Sequence, residues 1–178
     1  KRGVVSLSMH DANWRNVFEL ERELLCRLMG EVALQVEHIG STAVADLPAK
    51  PIMDIAVSVS DLNQVQHWAP KLEAVGYTYF GDRENRGDHF FAKGPDGCRT
   101  VYLHIVEEHS GLMDQYVRFR DRLRSNTSAK QQYAELKMRL AALDGSDRKR
   151  YTAGKSEFIA RLCREDEHEL ADAQAITI

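Results

Sequence analysis

The sequence lacks the features of membrane-spanning, secreted and disulfide-bonded proteins. No apolar run approaches the roughly 18 residues of a transmembrane helix, and no signal peptide is visible. The cysteines Cys26, Cys98 and Cys163 are widely spaced and form no CxxC pair, which is typical of reduced thiols. We therefore expect a cytoplasmic protein that does not interact with a membrane.

A large surplus of charge of one sign is also missing. The 178 residues carry a formal net charge of −3, whereas a general nucleic-acid-binding protein normally has a strong basic surplus. The sequence therefore predicts no general nucleic-acid binding. Internal repeats and low-complexity linkers are absent as well, and the length fits a single domain over residues 1–178.

The spacing of apolar residues predicts helix, strand, strand, helix, hairpin and then about three helices. Helices are expected over residues 11–29, 61–75, 111–124, 128–143 and 153–163, and strands over residues 34–39, 52–59, 88–93 and 99–106. Pro70 must kink or split the second helix, and Ser128 opens a capping box for the fourth. Strands lie in the first part (about 1–108) and helices gather in the second (about 110–170). This order indicates an α+β, or mixed α/β, fold.

Two predicted strands each carry one titratable side chain on a polar face. Alternation puts Asp54 opposite the apolar face of the second strand, and His104 opposite that of the last strand. If the strands share a sheet, both side chains can line one open face. A carboxylate near a core needs a metal ion, a base, hydrogen bonds or water. The alternative is a helix-capping or salt-bridged aspartate at the end of the sheet.

A Gly40-Ser41-Thr42 turn follows the first strand, and Lys50 precedes the second. Such a turn can bind phosphate through backbone N–H groups where a helix begins, and Lys50 can neutralise the phosphate. The alternatives are a turn that only caps a helix and a lysine that points to solvent. His38 falls on an apolar face, which favours a hydrogen-bonded core histidine over a ligand.

Motifs along nearly the whole chain resemble those of the GrpB family of bacterial proteins. The resemblance is carried by EHIGSTAVADLPAKPIMDI at 37–55, YLHIV at 102–106, FRDRLR at 119–124, YAELKMRLA at 133–141 and YTAGKSEFI at 151–159. That family resembles the nucleotidyltransferase superfamily, which implies a polymerase-β-like fold: a mixed sheet packed by helices, with further helices at the C-terminus. Some members are fused to dephospho-coenzyme A kinase as a folding accessory, which implies a coenzyme A biosynthesis enzyme as a possible partner.

The resemblance also implies a site, and this chain departs from it at one position. The superfamily pattern is a Gly-Ser turn, a strand bearing two acids separated by one residue, and a third acid on a later strand. Asp54 matches the first acid, Ala56 stands at the second, and His104 stands where the third is expected. Two-metal phosphoryl transfer needs several carboxylates, so Asp54 and His104 would suit a single metal ion or none.

Two lysines in the late helical motifs complete the set of candidate residues. Lys137 and Lys155 each follow a tyrosine by one helical turn, Tyr133 and Tyr151, and so share a face with it. Each lysine can bind a triphosphate or carboxylate, or can simply pack its stem on the ring with a solvated ammonium group. In the same region, the side chains of Arg120, Asp121 and Arg124 are expected to form an ion-pair network that docks their helix.

The resulting expectation is a nucleotidyltransferase-like protein that binds a nucleotide or another phosphorylated small molecule, with Mg²⁺ or Mn²⁺ as a possible cofactor. Gly40, Ser41 and Thr42 would hold phosphate, and Asp54 would bind the ion or act as a base. Lys50 and His104 would complete this site. The alternative is a catalytically degenerate module that binds a ligand or a protein. An acyl or amide-bond-forming enzyme that reuses the pocket is a third class, for which the sequence supplies no motif.

Overall fold

Five strands form one mixed sheet, and helices pack on both of its faces. The computed structural model describes residues 5–82, 87–144 and 147–175, and only the backbone at 144, 148 and 165–175. The strands are β1 (Gln35–Ile39), β2 (Met53–Val59), β3 (Tyr77–Asp82), β4 (Asp88–Lys93) and β5 (Val101–Glu107). Their order is β1-β2-β5-β4-β3; β2 and β5 are parallel, and the other neighbours are antiparallel.

The α-helices are α1 (Asn13–Met29), α2 (Val65–Glu73), α3 (Leu112–Ser125), α4 (Thr127–Asp144) and α5 (Arg148–Ala175). Within the described residues, none of them has the length and apolarity needed to cross a bilayer. The predicted α+β class, with a mixed sheet and C-terminal helices, is confirmed.

The apolar faces of β2 and β5 form the centre of the main core. Ile55, Leu103 and Ile105 are fully buried there, and the side chains that α1 and α2 contribute include Leu25 and Trp68. Each fully buried side chain of this kind stabilises the fold by roughly 1.5–3 kcal/mol. This layer therefore fixes the central strands, and with them the residues on the opposite face of the sheet.

In the first helix, the three- and four-residue spacing of Trp14, Val17, Leu20, Leu24 and Leu28 predicts a buried stripe, but a different face packs on the core. Val17 and Leu20 are exposed, and the buried residues are Phe18, Glu21, Leu25 and Met29. Glu21 is tolerated because its carboxylate accepts hydrogen bonds of 2.7 Å from Lys93 Nζ and from the Tyr77 hydroxyl. Both partners lie on distant strands, so periodicity within the helix could not reveal them.

Several predicted boundaries also change. Strand β3 was missed, because it follows the Gly76 turn without a clear alternation. Pro70 lies inside α2 and does not split it. The expected helix is instead divided before Val65, into a 3₁₀ turn at Leu62–Gln64 and α2 itself. Asp61 caps that turn, because its carboxylate accepts a hydrogen bond of 2.9 Å from the Asn63 N–H. The cap of α4 is Asn126 rather than Ser128, since the Asn126 side chain accepts from the Ala129 N–H at 2.9 Å.

Candidate ligand-binding cleft

Parallel pairing of β2 with β5 puts Asp54 and His104 on one face of the sheet, as predicted. Asp54 lies beside Tyr102 in the register, and Ala56 lies beside His104. The two titratable residues are therefore diagonal neighbours on adjacent strands. The alternate apolar residues of β2 and β5 point to the main core, so Asp54 and His104 lie on the opposite face of the sheet.

Gly40 and Asp54 are in close contact. A Cβ atom at Gly40 would lie 2.5 Å from Asp54 Oδ2, and the backbone there has φ +67°. Both observations require glycine, because a side chain would clash and would strain a left-handed conformation. The glycine is therefore explained by the carboxylate that packs against it.

The Gly40-Ser41-Thr42 segment does not open an α-helix. Ser41–Ala43 form a single 3₁₀ turn, so the expected helix start is wrong, while phosphate binding by Gly40, Ser41 and Thr42 stays a prediction. Thr42 is buried, and its hydroxyl lies 2.9 Å from His38 Nε2. His38 also stacks on Phe18 with ring centroids 4.9 Å apart. His38 is therefore the hydrogen-bonded core histidine that its position predicted.

The three candidate lysines all approach tyrosine rings. Lys50 Nζ and Lys155 Nζ lie over the Tyr151 ring at 4.4 and 4.7 Å from its centroid. Lys137 Nζ lies 4.9 Å from the Tyr133 centroid. The stacking on Tyr133 and Tyr151 agrees with the packing alternative. Lys137 is only 2% exposed, however, so its ammonium group is not solvated.

One cleft of about 850 Å³ collects these side chains between the sheet and α5. We call it the lysine cleft; its lining includes Ser41, Thr42, Lys50, Asp54, His104, Lys137, Tyr151 and Lys155. Of the candidate residues, only Gly40 is not among the residues that line it, because Gly40 lies behind the turn against Asp54. Seven of the eight candidate residues therefore line one cleft, a convergence that the sequence could not show, and their roles stay predictions.

Burial perturbs the charges in the lysine cleft. Burial raises the pKa of Asp54, while the nearby charges of His104 and the three lysines oppose that shift. Burial lowers the pKa of Lys137 to about 7, and the charge of Lys155 adds to this effect while Asp54 opposes it. Burial also lowers the pKa of Lys155, again against the attraction of Asp54. Clustered perturbed groups in a cleft are typical of functional sites.

Asp88 is the acidic residue that the sequence did not single out. It is 2% exposed at the start of β4, and its Oδ2 lies 2.7 Å from His104 Nδ1. A carboxylate at Nδ1 fixes the orientation and tautomer of the imidazole. Asp88 alternates with Phe90 and Ala92, which lie opposite His104 and Tyr102. The pairing of the two hairpin strands could therefore have indicated that Asp88 lies on the same face of the sheet as His104.

A two-metal centre does not fit the side chains present. No cluster of three or more His, Cys, Asp or Glu side chains in the described part of the chain could hold a metal ion. Asp54 shares the cleft with four lysines, Lys50, Lys137, Lys149 and Lys155, whose charges oppose a divalent cation. We therefore derive no step that uses a pair of metal ions.

A second cleft of about 900 Å³ lies on the other side of the Ser41–Ala43 turn. We call it the arginine cleft; its lining includes His10, Arg15, Glu19, Arg22, Glu37, His38, Arg120, Arg124 and Lys130. Arg120 contacts Glu37, Asp121 and the His38 carbonyl. Arg124 donates two hydrogen bonds to the Ala43 carbonyl. The predicted ion-pair network that docks α3 is confirmed.

The protein therefore has an α+β fold with a polar site beside its central strands. The Gly40–Asp54 contact and the lysine cleft form this site. The family model described as GrpB protein matches residues 4–165, and the chain belongs to the GrpB family. A UPF0157 protein from Halalkalibacterium halodurans is 35% identical over 160 residues, which are 90% of this chain and 81% of that protein. The crystal structure of conserved protein GrpB from Enterococcus faecalis has a TM-score of 0.83 and 32% identity, over 90% of this chain and 96% of that one.

Two more remote similarities are also found. A dephospho-CoA kinase from Mycobacterium leprae is 28% identical in an alignment of length 162 that covers 73% of this chain and 38% of the kinase. The Cid1 poly(U) polymerase gives a TM-score of 0.42 at 16% identity, over 74% of this chain and 44% of the polymerase. A TM-score of that size carries no argument about function.

Proposed function

We propose that the lysine cleft binds a nucleotide or another phosphorylated small molecule. The observation that carries this proposal is the convergence of Lys50, Lys137 and Lys155 around Asp54 in one cleft. Its volume of about 850 Å³ lies within the range of small-molecule sites. Ammonium groups in a partly desolvated cleft attract phosphate more strongly than they do in water.

The contacts suggest different roles for the three lysines. Lys50 and Lys155 lie on the Tyr151 ring, which orients both ammonium groups at the cleft. Lys137 instead donates to Ser41 Oγ at 3.1 Å and to the Pro48 carbonyl, so its ammonium group is fixed at the floor. Lys50 and Lys155 therefore supply the main charge for phosphate.

Binding of Mg²⁺ or Mn²⁺ together with the nucleotide stays a prediction. Mg²⁺ is commonly held by one or two carboxylates together with substrate phosphates. Asp54 would be its protein ligand, with His104 beside it, and the ion would supply charge neutralisation for the phosphates.

Nucleotidyl transfer is the reaction that the family resemblance suggests, and a non-catalytic module is the alternative. Ala56 favours the alternative, because it is fully buried beside Ile39, Val106 and Met113. A carboxylate at this position would have to enter an apolar cluster. The similarity to a dephospho-CoA kinase makes a coenzyme A biosynthesis enzyme the partner to test.

Ligand-dependent stabilisation tests the binding proposal. Thermal unfolding is measured with pyrophosphate and with each nucleoside triphosphate, in EDTA and in Mg²⁺ or Mn²⁺. A ligand at 100 times its Kd stabilises the folded state by about 2.7 kcal/mol. We expect Lys155→Met and Lys50→Met to lose at least about tenfold in affinity through the lost charge, and Lys130→Met in the arginine cleft to bind as the wild type does.

The outcomes separate the alternatives. Absence of stabilisation with every phosphate compound, in both metal conditions, would overturn the binding proposal. Incorporation of a labelled nucleotide, abolished by Asp54→Asn, would support transfer and exclude the non-catalytic module. Binding without turnover, combined with co-purification of a coenzyme A biosynthesis enzyme, would support the module.

A further inference from the structure

Ser41 and Lys137 meet at the floor of the lysine cleft, although 96 residues separate them in the chain. Lys137 Nζ lies 3.1 Å from Ser41 Oγ, and its side chain is buried on α4. The same nitrogen donates to the carbonyl oxygen of Pro48. That second contact holds the amine in a fixed direction relative to the serine.

This arrangement has the parts of a nucleophile and its base. A serine hydroxyl becomes nucleophilic when a base lies within hydrogen-bond reach and a third group orients that base. Lysine serves as the base in the serine–lysine variants of the catalytic triad. Burial lowers the pKa of Lys137 to about 7, so a large fraction of the amine is neutral near physiological pH and can accept a proton.

The backbone presents Ser41 toward the cleft at a sharp change of direction. β1 ends at Ile39, Gly40 has φ +67°, and Ser41 begins the 3₁₀ turn. Gly40 is required there because Asp54 fills the space that a side chain would need. The serine is therefore held on a rigid turn between the central sheet and Lys137.

We propose that Ser41 is a nucleophile and Lys137 its general base, and that this dyad transfers an acyl group from an activated donor whose leaving group carries phosphate. The assignment of the dyad rests on the contact between Lys137 Nζ and Ser41 Oγ and does not depend on the proposed function. The preference for a phosphate-bearing leaving group rests on the proposed function, because Lys50 and Lys155 would bind that group.

The steps balance without an oxidant or a further cofactor. Ser41 Oγ attacks the acyl carbon while its proton moves to Lys137 Nζ. The bond from the acyl carbon to the leaving oxygen or sulfur breaks, and Lys137 returns the proton to that atom. An acceptor hydroxyl, amine or water then attacks the Ser41 ester and gives its proton to Lys137, and Ser41 Oγ leaves and regains a proton.

Two acyl donors test the dyad and the phosphate preference separately. p-Nitrophenyl acetate is neutral and needs no anion site, whereas acetyl phosphate carries the leaving group that the lysine cleft would bind. We expect a burst of nitrophenolate of about one equivalent per chain, as an accumulating acyl-enzyme produces. Peptide mass spectrometry should place the acetyl group on Ser41, and alkaline hydroxylamine should release it as an ester, whereas an acetylated lysine would resist this treatment.

Variants assign each role. Ser41→Ala should abolish the burst and the hydroxylamine-sensitive label, while Ser156→Ala, another serine of the same cleft, should retain both. Lys137→Met should slow acylation by at least about 10²-fold, and Lys137→Arg should do the same because arginine does not deprotonate. Circular dichroism and thermal unfolding check that each variant is folded.

The outcomes test the Ser41–Lys137 dyad and the phosphate-bearing acyl donor separately. Acetylation of lysines alone, or an equal burst in folded Ser41→Ala, would overturn the dyad whatever the cleft binds. Labelling by p-nitrophenyl acetate with no preference for acetyl phosphate, unchanged in Lys155→Met, would keep the dyad and overturn the phosphate-bearing donor. A preference for acetyl phosphate that Lys155→Met removes would support both parts.

Discussion

The lysine cleft and the arginine cleft have similar volumes and lie on opposite sides of the Ser41–Ala43 turn, yet their cations are used differently. In the arginine cleft, Arg120 and Arg124 contact carboxylates and backbone carbonyls of neighbouring segments. In the lysine cleft, Lys50 and Lys155 lie on the Tyr151 ring near the half-buried carboxylate of Asp54.

This difference shows that local cationic charge alone does not identify a binding site. Cations that bridge chain segments with hydrogen bonds stabilise the fold. Cations held on aromatic rings in a concave site keep their charge directed toward the cleft. Loss of Arg120 or Arg124 should therefore reduce stability, and loss of Lys50 or Lys155 should reduce ligand binding.

The largest expected effect is the pH dependence contributed by Lys137. Its pKa falls from 10.5 to about 7 on folding, so between these values the unfolded chain binds more protons than the folded one. Stability should therefore rise from pH 7 to pH 10.5, by up to about 5 kcal/mol. Denaturant unfolding across this range should show a much smaller slope for Lys137→Met. Lys130→Met, on the same helix, serves as the control, and an equal slope in Lys137→Met would contradict the prediction.

Loss of the Arg120 contacts should have the next largest effect. Arg120→Met leaves the Glu37 carboxylate and the buried His38 carbonyl without this donor. We expect a loss of about 3 kcal/mol in the free energy of unfolding, with ligand binding in the lysine cleft unchanged. Arg22→Met is the matched control, because Arg22 forms an exposed pair with Glu19, and should change stability by less than about 1 kcal/mol. A loss of ligand binding in folded Arg120→Met would contradict the claim that Arg120 stabilises the fold without affecting the lysine cleft.

His38 should give the arginine-cleft side of the turn a pH dependence in the acid range. Burial lowers the pKa of His38 from 6.5 to about 4, and the charges of Arg124 and Arg120 act in the same direction. The unfolded chain binds more protons between these values, so stability should be lost as pH falls from 6.5 to 4, by about 3 kcal/mol. His38→Gln should flatten this part of the unfolding profile, whereas His109→Gln, at an exposed histidine, should leave it unchanged.

Much of the fold, and seven of the residues that line the lysine cleft, could be predicted from the sequence. Alternation in β2 and β5 is strong enough to assign Asp54 and His104 to one face, because both strands are apolar on the other face. The face of α1 and strand β3 could not be assigned. The burial of Glu21 depends on hydrogen bonds from Lys93 and Tyr77. Because these partners are distant in the chain, the spacing of residues within α1 cannot reveal them.

The sequence by itself determined the family, the central strands and the residue types of the site, because these depend on local patterns and motifs. Only the tertiary structure decided that Gly40 packs on Asp54, that Asp88 reaches His104, and that Lys137 contacts Ser41. Each of these contacts joins segments that are distant in the chain. Burial at those contacts shifts the pKa values of Asp54 and Lys137, since desolvation depends on everything that surrounds a charge.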